Sequence, residues 1–282
     1  MYISAFKMDG LGNDFVIIDQ RNQNINLSKN QIIKICDRKF IGCDQLIIIN
    51  NSKTADASLE FFNSDGSLSG ACGNGSRCVA DLLSKQNNKK EITLSTSSGI
   101  IKSNILDNNL VETNIGIPKT NWEEIPLSEN LNTKNLKLKI LDKNNKEHIG
   151  GIAINVGNPH VIFFTDNLEI FELENIGPKI ENHKLFPEKV NVTFASIVNK
   201  EHIVVRVWER GAGLTKACGT AACATAVAAN KLKLVKNAVT IDFHDNLKGE
   251  REGLFISIEP EPVNKIFMIG HAGGPSKIEL EV

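Results

Sequence analysis

The sequence predicts a mixed α/β fold made of two similar lobes that arose by internal duplication. Short segments rich in β-branched residues alternate with only a few helical segments along the chain. Two short motifs recur about half a chain apart, which is typical of a duplicated unit. The length of 282 residues also fits about two domains, at roughly 150 residues each.

The duplication rests on two pairs of matching segments. Residues 12–17 (Gly-Asn-Asp-Phe-Val-Ile) resemble residues 157–162 (Gly-Asn-Pro-His-Val-Ile), at an offset of 145 residues. Residues 71–74 (Ala-Cys-Gly-Asn) resemble residues 217–220 (Ala-Cys-Gly-Thr), at an offset of 146 residues. One match alone would favour chance, but two at one spacing favour duplication. We therefore expect equivalent residues of the two lobes to converge on one cleft, where small-molecule sites are common.

Strands are predicted where β-branched or alternating apolar residues stand between turn signals. In chain order they are Phe15–Asp19, Leu46–Ile49, Ser58–Phe62, Ile92–Ser95, Ile101–Leu106, Ile152–Val156, Val161–Phe164, Val192–Ile197, Ile203–Trp208, Val239–Phe243 and Phe255–Ile258. Helices are predicted at Ser28–Arg38, with Ser28 as N-cap, and at Gly73–Lys85 and Gly219–Leu232. Residues 117–126 contain two prolines and no clean period, which predicts a linker.

Composition argues against several classes of protein. Lys plus Arg is 32 and Asp plus Glu is 33, which gives a net charge of −1. A chain without excess positive charge is not expected to bind nucleic acid or an anionic membrane. No apolar stretch approaches the ~20 residues of a membrane helix, and no targeting segment is visible at the N-terminus. Six cysteines without a leader are typical of thiols in a reducing compartment. We therefore expect a cytoplasmic protein.

Cys72 and Cys218 are the candidate reactive groups. Each directly precedes a predicted helix, at Gly73 and Gly219. A helix N-terminus offers unpaired N–H groups and a positive potential, which lower the pKa of a thiol and bind carboxylates. Two such thiols on opposite sides of one substrate carbon would remove a proton from one face and return it on the other. We expect the two sulfurs to titrate as a coupled pair.

Polar residues near the repeats are further candidates for a site. At the duplication offset they form the pairs Asn13 and Asn158, Gln45 and Asn191, and Asn63 and Glu209. Glu209 could hold an α-ammonium group, and the guanidinium of Arg210 could bind a second carboxylate through two parallel hydrogen bonds. His160 could orient a base or polarise the substrate. Cys36 and Cys43 are expected to be small buried core residues.

Eight ordered motifs resemble the landmarks of the diaminopimelate epimerase family. They lie at residues 7–15 (Lys-Met-Asp-Gly-Leu-Gly-Asn-Asp-Phe), 42–45, 62–66, 71–78, 157–160, 190–192, 209–213 and 217–220. The resemblance implies two pseudo-symmetric lobes, each a curved, mostly antiparallel sheet around a central helix, with the active site in the cleft between them. It implies a first lobe at 1–118 with a C-terminal return at 264–282, and a second lobe at 119–263.

The resemblance also implies an isomerase that interconverts LL- and meso-2,6-diaminopimelate without a cofactor or metal, in the biosynthesis of lysine and peptidoglycan precursors. Cys72 and Cys218 would be the two bases, assisted by His160 and Glu209. The substrate would be bound by Asn13, Gln45, Asn63, Gly73, Asn74, Asn158, Asn191, Glu209, Arg210, Gly219 and Thr220. The chain departs from the family pattern at Asp9, Cys43 and Leu214. It also lacks the Tyr-Asp-Gly motif that the family uses in dimer contacts, so a homodimer is only a possible state.

Several alternatives stay open. A related two-cysteine racemase for proline or histidine, or a non-catalytic ligand-binding homologue, would share the motifs. A zinc site could use Cys72, Cys78, Cys218 and Cys223, but their spacings fit no zinc-finger template. The glycine-rich loops do not match the dinucleotide-binding pattern. A pyridoxal-phosphate racemase would need a Schiff-base lysine, and no lysine has a recognisable context for that role.

Overall fold

A computed structural model describes residues 2–23, 25–69, 72–97, 99–244 and 253–281. The strands are β1 Tyr2–Gly10, β2 Asn13–Asp19, β3 Gln45–Asn50, β4 Ala57–Asn63, β5 Leu68–Ser69, β6 Glu91–Thr96, β7 Gly99–Ile105, β8 Leu110–Gly116, β9 Leu138–Leu141, β10 Glu147–Gly150, β11 Ile152–Asn155, β12 Pro159–Phe164, β13 Asn191–Asn199, β14 His202–Glu209, β15 Gly213–Thr215, β16 Ala238–Phe243, β17 Leu254–Ile258, β18 Ile266–His271 and β19 Ser276–Glu281. The helices are α1 Lys29–Cys36, α2 Gly73–Asn87, α3 Leu173–Glu181 and α4 Gly219–Lys231, with a 3₁₀ turn at Leu168–Ile170. Gly70 and Ala71, which begin the first cysteine motif, lie outside the described residues.

The chain divides into two compact units. Unit 1 is Met1–Asn114 with Ile269–Val282, and unit 2 is Ile115–Met268. The boundaries expected from the sequence, at 118 and 264, lie four residues after Asn114 and five residues before Ile269. Each unit has its own order of paired strands and its own buried helix.

The sheet of unit 1 runs in the order β19-β1-β2-β3-β4-β6-β7-β8. Neighbouring strands are antiparallel except in the pairs β2–β3 and β4–β6, which are parallel. A parallel pair needs a crossover connection, and α1 and α2 lie in these two connections. The short strand β5 pairs with the end of β4.

Unit 2 repeats this connection order. Its sheet runs β11-β12-β13-β14-β16-β17, with parallel pairs at β12–β13 and β14–β16 and with α3 and α4 in the two crossovers. The short strand β15 pairs with the end of β14, as β5 does with β4. Even the register repeats, because Phe15 lies opposite Gln45 and the equivalent His160 lies opposite Asn191. The fold therefore carries the duplication that the sequence motifs predict.

The helices after the two cysteines are central helices. The residues of α2 from Asn74 to Ser84 are all buried, and β1, β2, β6 and β7 all contact this helix. Strands from opposite ends of one sheet can touch the same helix only if the sheet curves around it. The helix α4 is likewise buried from Ala221 to Ala229 and contacts β11, β12, β13, β16 and β17. The predicted class of fold, a mixed α/β sheet around a central helix, is confirmed.

Alternation along the inner strands of unit 1 decides what packs on each face of the sheet. Phe15 and Ile17 belong to the core cluster on the α2 side. Val16 and Ile18 belong to a second cluster that includes Ile32, Cys36 and Cys43 near α1. Because successive side chains of a strand point to opposite faces, β2 is apolar on both sides. Cys36 and Cys43 are buried core residues, as predicted.

The structure contains every predicted strand and helix, and several that the sequence pattern did not indicate. The unpredicted elements are β1, β5, β8, β9, β10, β15, β18 and α3. Residues 117–126 form no helix and join the sheet only through an isolated bridge from Lys119 to Asn155. The C-terminal strand β19 pairs with β1 along six residue pairs. No helix among the described residues is long and apolar enough to cross a membrane.

Candidate active site

Cys72 is the N-cap of α2. Its backbone is extended, with φ −130° and ψ 115°, and its sulfur accepts a hydrogen bond from the N–H of Gly75 at 3.5 Å. Its carbonyl oxygen accepts the N–H of Ser76 at 2.8 Å. A cysteine thus occupies the position usually taken by Ser, Thr, Asp or Asn. The sulfur is therefore fixed beside the first-turn N–H groups of the helix, which favour an anion.

Asn13 lies beside this sulfur. The Oδ1 atom of Asn13 is 3.6 Å from Cys72 Sγ, at which distance the thiol donates to the amide oxygen. The Nδ2 atom of Asn13 donates to Asp44 Oδ2 at 2.8 Å. Asn13 and Cys72 are therefore one pair of unit 1 candidates in direct contact.

Gln45 and Asn63 form a second pair in unit 1. They lie opposite each other in the antiparallel pair β3–β4, and Gln45 Nε2 donates to Asn63 Oδ1 at 3.1 Å. Asn63 Nδ2 in turn donates to Ser67 Oγ at 3.1 Å. The Oε1 atom of Gln45 is buried and accepts no hydrogen bond from the described residues. A buried acceptor of this kind usually meets a partner such as water or a ligand.

Asn74 is held by an arginine inside the helix. Its Oδ1 accepts from Arg77 Nη2 at 2.8 Å, and the Arg77 side chain is fully buried. Gly73 and Gly75 flank Asn74 in this first turn. A Cβ atom added at Gly75 would lie only 2.7 Å from Ile47 Cδ1, so glycine allows the start of α2 to pack directly on β3.

Cys218 occupies the equivalent N-cap of α4 in unit 2, but its surroundings differ. Its sulfur makes no capping hydrogen bond and lies 3.4 Å from Thr220 Oγ1. Burial raises the pKa of the Cys218 thiol well above its usual value, and the negative charge of Glu209 raises it further. The expectation that a helix start lowers the pKa is wrong for this thiol, because burial and a neighbouring carboxylate outweigh the helix N-terminus.

Glu209 is the carboxyl group hydrogen-bonded to Cys218. Burial raises the pKa of its carboxyl, whereas hydrogen bonds to Thr215 and Cys218 oppose the rise. Thr215 Oγ1 donates to Glu209 Oε1 at 2.6 Å. Both Glu209 and Cys218 therefore favour their neutral forms, and they are close enough to exchange one proton.

His160 is fully buried at the start of β12. Its Nε2 is 2.8 Å from Asn158 Oδ1, and because an amide oxygen only accepts, Nε2 carries the proton. The other ring nitrogen, Nδ1, is buried without a hydrogen-bond partner among the described residues. Burial lowers the pKa of His160 to about 3, and the positive charge of Arg210 adds to this. The imidazole is therefore neutral near pH 7, with a free lone pair on Nδ1.

Asn191 and Arg210 are linked through the backbone. Asn191 is buried, its Nδ2 donates to the carbonyl oxygen of Pro159 at 2.9 Å, and its Oδ1 accepts the N–H of Arg210 at 3.0 Å. The exposed guanidinium of Arg210 donates to the carbonyl oxygen of Glu188 at 2.9 Å. The Asn191 amide thus fixes the start of β12 and the residue after β14.

Glu181 supports the turn that carries these groups, and the sequence reasoning missed it. It is buried at the end of α3, accepts from Trp208 Nε1 at 2.7 Å and from the N–H of Gly211 at 3.0 Å. These bonds hold the chain on both sides of Glu209 and Arg210. Glu181 belongs to no recognised motif. The unusual sequence feature nearby is Pro178, which lies inside the same helix three residues earlier.

Each unit therefore holds its own group of candidate residues. Unit 1 brings Asn13 to Cys72 and Gln45 to Asn63, with Asn74 in the first turn of α2. Unit 2 brings Glu209 and Thr220 to Cys218, Asn158 to His160, and Asn191 to Arg210. Within the described ranges, no group of three or more His, Cys, Asp or Glu side chains could hold a metal ion.

Comparison with known proteins decides the family. The family model described as diaminopimelate epimerase matches residues 5–120 and 152–272 of this chain, which is more than half of its length. The chain belongs to the diaminopimelate epimerase family. The resemblance seen in the motifs is confirmed, and the substrate of this enzyme family is diaminopimelate.

Curated relatives give the same family name. A diaminopimelate epimerase from Pelagibacter ubique (strain HTCC1062) is 72% identical over 243 residues, which cover 86% of this chain and 89% of the relative. A diaminopimelate epimerase from Acidiphilium cryptum (strain JF-5) is 43% identical over 237 residues, or 84% of each chain. The names of these relatives place the family among the isomerases, as predicted.

Solved structures share the fold at low sequence identity. A hydroxyproline epimerase from Agrobacterium vitis, with bound trans-4-OH-L-proline, has a TM-score of 0.69 and 13% identity and covers 100% of this chain and 93% of its own. A phenazine biosynthesis protein of the PhzF family from Bacillus anthracis has a TM-score of 0.67 and 16% identity and covers 100% of both chains. These likenesses concern the fold alone.

Proposed function

We propose that this chain interconverts LL- and meso-2,6-diaminopimelate by proton transfer at one α-carbon, with Cys72 and Cys218 as the two bases and without a cofactor. The reaction would serve the biosynthesis of lysine and peptidoglycan precursors. The observation that carries the proposal is that a cysteine occupies the N-cap position of the central helix in each unit. The 72% identical relative named diaminopimelate epimerase supports the choice of substrate.

The proton steps follow from the neighbours of each sulfur. Glu209 starts as a carboxylate and takes the proton of Cys218, because the two groups are in contact and burial raises the pKa of the Glu209 carboxyl. The Cys218 thiolate then removes the α-proton of the substrate. Cys72, whose thiol points at Asn13 Oδ1, gives its proton to the opposite face of the carbanion. At the end Glu209 has gained one proton, Cys72 has lost one and Cys218 is again a thiol, and the reverse reaction restores the starting state of all three.

The carbanion needs stabilisation, because the α-proton of an amino acid is very weakly acidic. The first-turn N–H groups at Gly73 and Asn74 of α2 and at Gly219 and Thr220 of α4 are donors that no carbonyl within their own helix can satisfy. Placed on the α-carboxylate, they would oppose the negative charge that develops there. Preorganised donors of this kind are worth about 10²–10³ in rate each.

The remaining candidates recognise the ammonium and carboxylate groups. The Nδ1 lone pair of neutral His160 and a carboxyl oxygen of Glu209 can both accept from the α-ammonium group. The exposed guanidinium of Arg210, with Asn63 and Asn158, suits the distal amino-acid end, and Asn13 and Gln45 complete the pocket. Asn191 acts through the backbone N–H of Arg210, since both ends of its amide are already bonded.

The test is an assay of purified protein on LL- and meso-diaminopimelate without added cofactor, using four single variants. We expect Cys72→Ala and Cys218→Ala each to lower kcat by about 10²–10⁴ or more, the usual worth of a general acid or base. Cys78→Ala and Cys223→Ala are matched controls, because these fully buried cysteines lie on the same two helices. The controls should stay within a few-fold of wild type.

Two results would contradict the proposal. Near wild-type turnover by either Cys72→Ala or Cys218→Ala would exclude two-base chemistry. Turnover of proline or histidine in place of diaminopimelate would instead indicate another two-cysteine racemase. If no amino acid is turned over while diaminopimelate still binds, the chain is a non-catalytic ligand-binding homologue.

The cellular setting belongs to the same proposal. A net charge of −1 supports a small-molecule substrate as the partner rather than nucleic acid or a membrane surface. We place the enzyme in the cytoplasm, where both thiols stay reduced. A homodimer is a possible state, and light scattering coupled to size-exclusion chromatography measures it directly.

A further inference from the structure

Asp44 decides which end of the Asn13 side chain faces Cys72. Asp44 Oδ2 accepts from Asn13 Nδ2 at 2.8 Å and from the backbone N–H of Asp14 at 3.1 Å. An ionised carboxylate only accepts hydrogen bonds, so the amide must turn its NH₂ group to Asp44. The opposite end, Asn13 Oδ1, is then the atom 3.6 Å from Cys72 Sγ.

An amide oxygen beside a cysteine sulfur interacts differently with the thiol and with the thiolate. A thiol donates its proton to the oxygen, whereas a thiolate would face the lone pairs of another acceptor. A hydrogen bond made only by the neutral form favours that form. A second contact of Cys72 Sγ, with the N–H of Gly75 at 3.5 Å, is compatible with both states.

We propose that Asp44 is a positioning residue that holds the Asn13 amide oxygen on Cys72 and so keeps Cys72 in its thiol form in the free protein. This inference deepens the proposed function and rests on it for the second sulfur. In unit 2, Cys218 has Glu209 as a neighbour able to take its proton. The two helix starts are equivalent in the fold, but their neighbours assign them opposite roles, Cys72 as the acid and Cys218 as the base.

The surroundings keep Asp44 in this position. Arg38 Nη2 donates to Asp44 Oδ1 at 2.5 Å, which leaves Oδ2 for Asn13. Arg38 also binds both oxygens of Asp14, at 2.7 and 2.8 Å, and Lys7 pairs with Asp14 at 2.6 Å. Two further titratable groups lie near Cys72, namely Cys78 on α2 and Asp9 on β1. Negative charge on Cys72 or on Asp9 raises the pKa of the Cys78 thiol.

The test measures the rate at which iodoacetamide alkylates Cys72 as a function of pH. The tryptic peptide 54–77 contains Cys72 as its single cysteine, so mass spectrometry follows this thiol alone. In Asp44→Ala the Asn13 amide is free to rotate and offer an N–H to the sulfur. We expect the alkylation profile to move to lower pH by about one unit, the size of an exchanged hydrogen bond. An unmoved profile overturns the proposal.

A double-variant cycle separates positioning from loss of charge. In Asn13→Ala the oxygen acceptor is gone, so the profile moves to lower pH, and adding Asp44→Ala should then produce no further shift. A second shift of equal size would mean that Asp44 acts by its charge alone, which contradicts the proposal. The single variant Asn13→Ala also serves if Asp44→Ala does not fold, because an unmoved profile there is equally contradictory.

Arg38→Gln is the matched control. It removes the guanidinium that binds Asp44 Oδ1 but leaves the hydrogen bond between Asp44 and Asn13. The alkylation profile of Cys72 should therefore not move to lower pH. A move to lower pH would indicate a general effect of the charge cluster and overturn the proposal. Because alkylation needs no turnover, absence of epimerase activity would refute the proposed function without refuting the role of Asp44 at Cys72.

Discussion

At the scale of single residues, burial rather than helix position governs the titration of the unit 2 groups. Cys218, Glu209 and His160 all favour their neutral forms because burial penalises charge. Sequence reasoning identified these residues through the duplication offset and the motifs. It could not give the direction of their pKa shifts, since burial depends on strands far away in the sequence.

His160 makes the stability of the protein depend on pH. Its pKa falls from 6.5 to about 3 on folding, so between these values the unfolded chain binds a proton that the native state does not. The contribution is present above pH 6.5 and is lost as the pH falls toward 3. We expect His160 to lower the free energy of unfolding by about 2 kcal/mol between pH 8 and pH 5.

Urea unfolding at pH 8 and pH 5 measures this contribution. His160→Gln removes the titrating group, so its free energy of unfolding should fall by about 2 kcal/mol less than that of wild type over this interval. His183→Gln, which alters a less buried histidine of the same unit, is the control. Equal pH dependence of wild type and His160→Gln would show that His160 is not buried in its neutral form.

Asn191 and Glu181 show where residue-level prediction ends. The offset marked Asn191 as a site residue, and the structure finds its amide bonded to Pro159 and to the N–H of Arg210. Glu181 carried no signal, yet it bonds to Trp208 and Gly211 on either side of Glu209. A motif therefore identifies a position, whereas hydrogen bonds distinguish contact with a substrate from support of the chain.

At the scale of elements, α3 is the helix that the sequence pattern did not indicate. Pro178 lies inside it, and an interior proline normally argues against a helix. Contacts with β13, β14 and β15 stabilise this helix in spite of the proline. The strongly patterned elements were predictable because alternation and capping are local signals, while α3 depends on tertiary contacts.

Gly177 lets α3 approach β14 closely enough for the bond between Glu181 and Trp208. A Cβ atom at this position would lie 2.5 Å from Trp208 Cγ and 2.6 Å from Cδ2. The indole cannot move easily, because its Nε1 is bonded to Glu181. We expect Gly177→Ala to lower the free energy of unfolding by about 1–3 kcal/mol, although alanine favours helix.

Chemical denaturation measures this effect, with Gly150→Ala as the control. A Cβ at Gly150 would meet only Phe163 Cδ1, at 3.9 Å, which is ordinary contact. The control should therefore stay close to wild type. If Gly177→Ala is as stable as wild type, the packing of α3 on Trp208 is looser than the structure indicates.

At the scale of the whole molecule, one connection order is used twice. Two short repeats sufficed to predict this, because the register around Gln45 and Asn191 is preserved between the units. The strands β1, β8 and β18 were harder to predict from local pattern, although β1 lies between β19 and β2 and β8 pairs with β7. The return of β19 to β1 places the last part of the chain in unit 1.

The separate cores of the two units imply separable unfolding. Both tryptophans, Trp122 and Trp208, belong to unit 2, so tryptophan fluorescence reports that unit, whereas far-UV circular dichroism reports both. Leu280 in β19 and Leu254 in β17 are both buried, in unit 1 and unit 2 respectively. Truncation of either to alanine should cost about 2–5 kcal/mol in its own unit.

We expect Leu280→Ala to lower the midpoint of the circular dichroism transition in urea while the fluorescence midpoint stays in place. Leu254→Ala is the reciprocal control and should lower the fluorescence midpoint. The physical reason is that each side chain stabilises only the core in which it is buried, and a chain of two units need not unfold in a single step. Equal shifts of both signals in Leu280→Ala would instead show that the two units unfold together as one cooperative body.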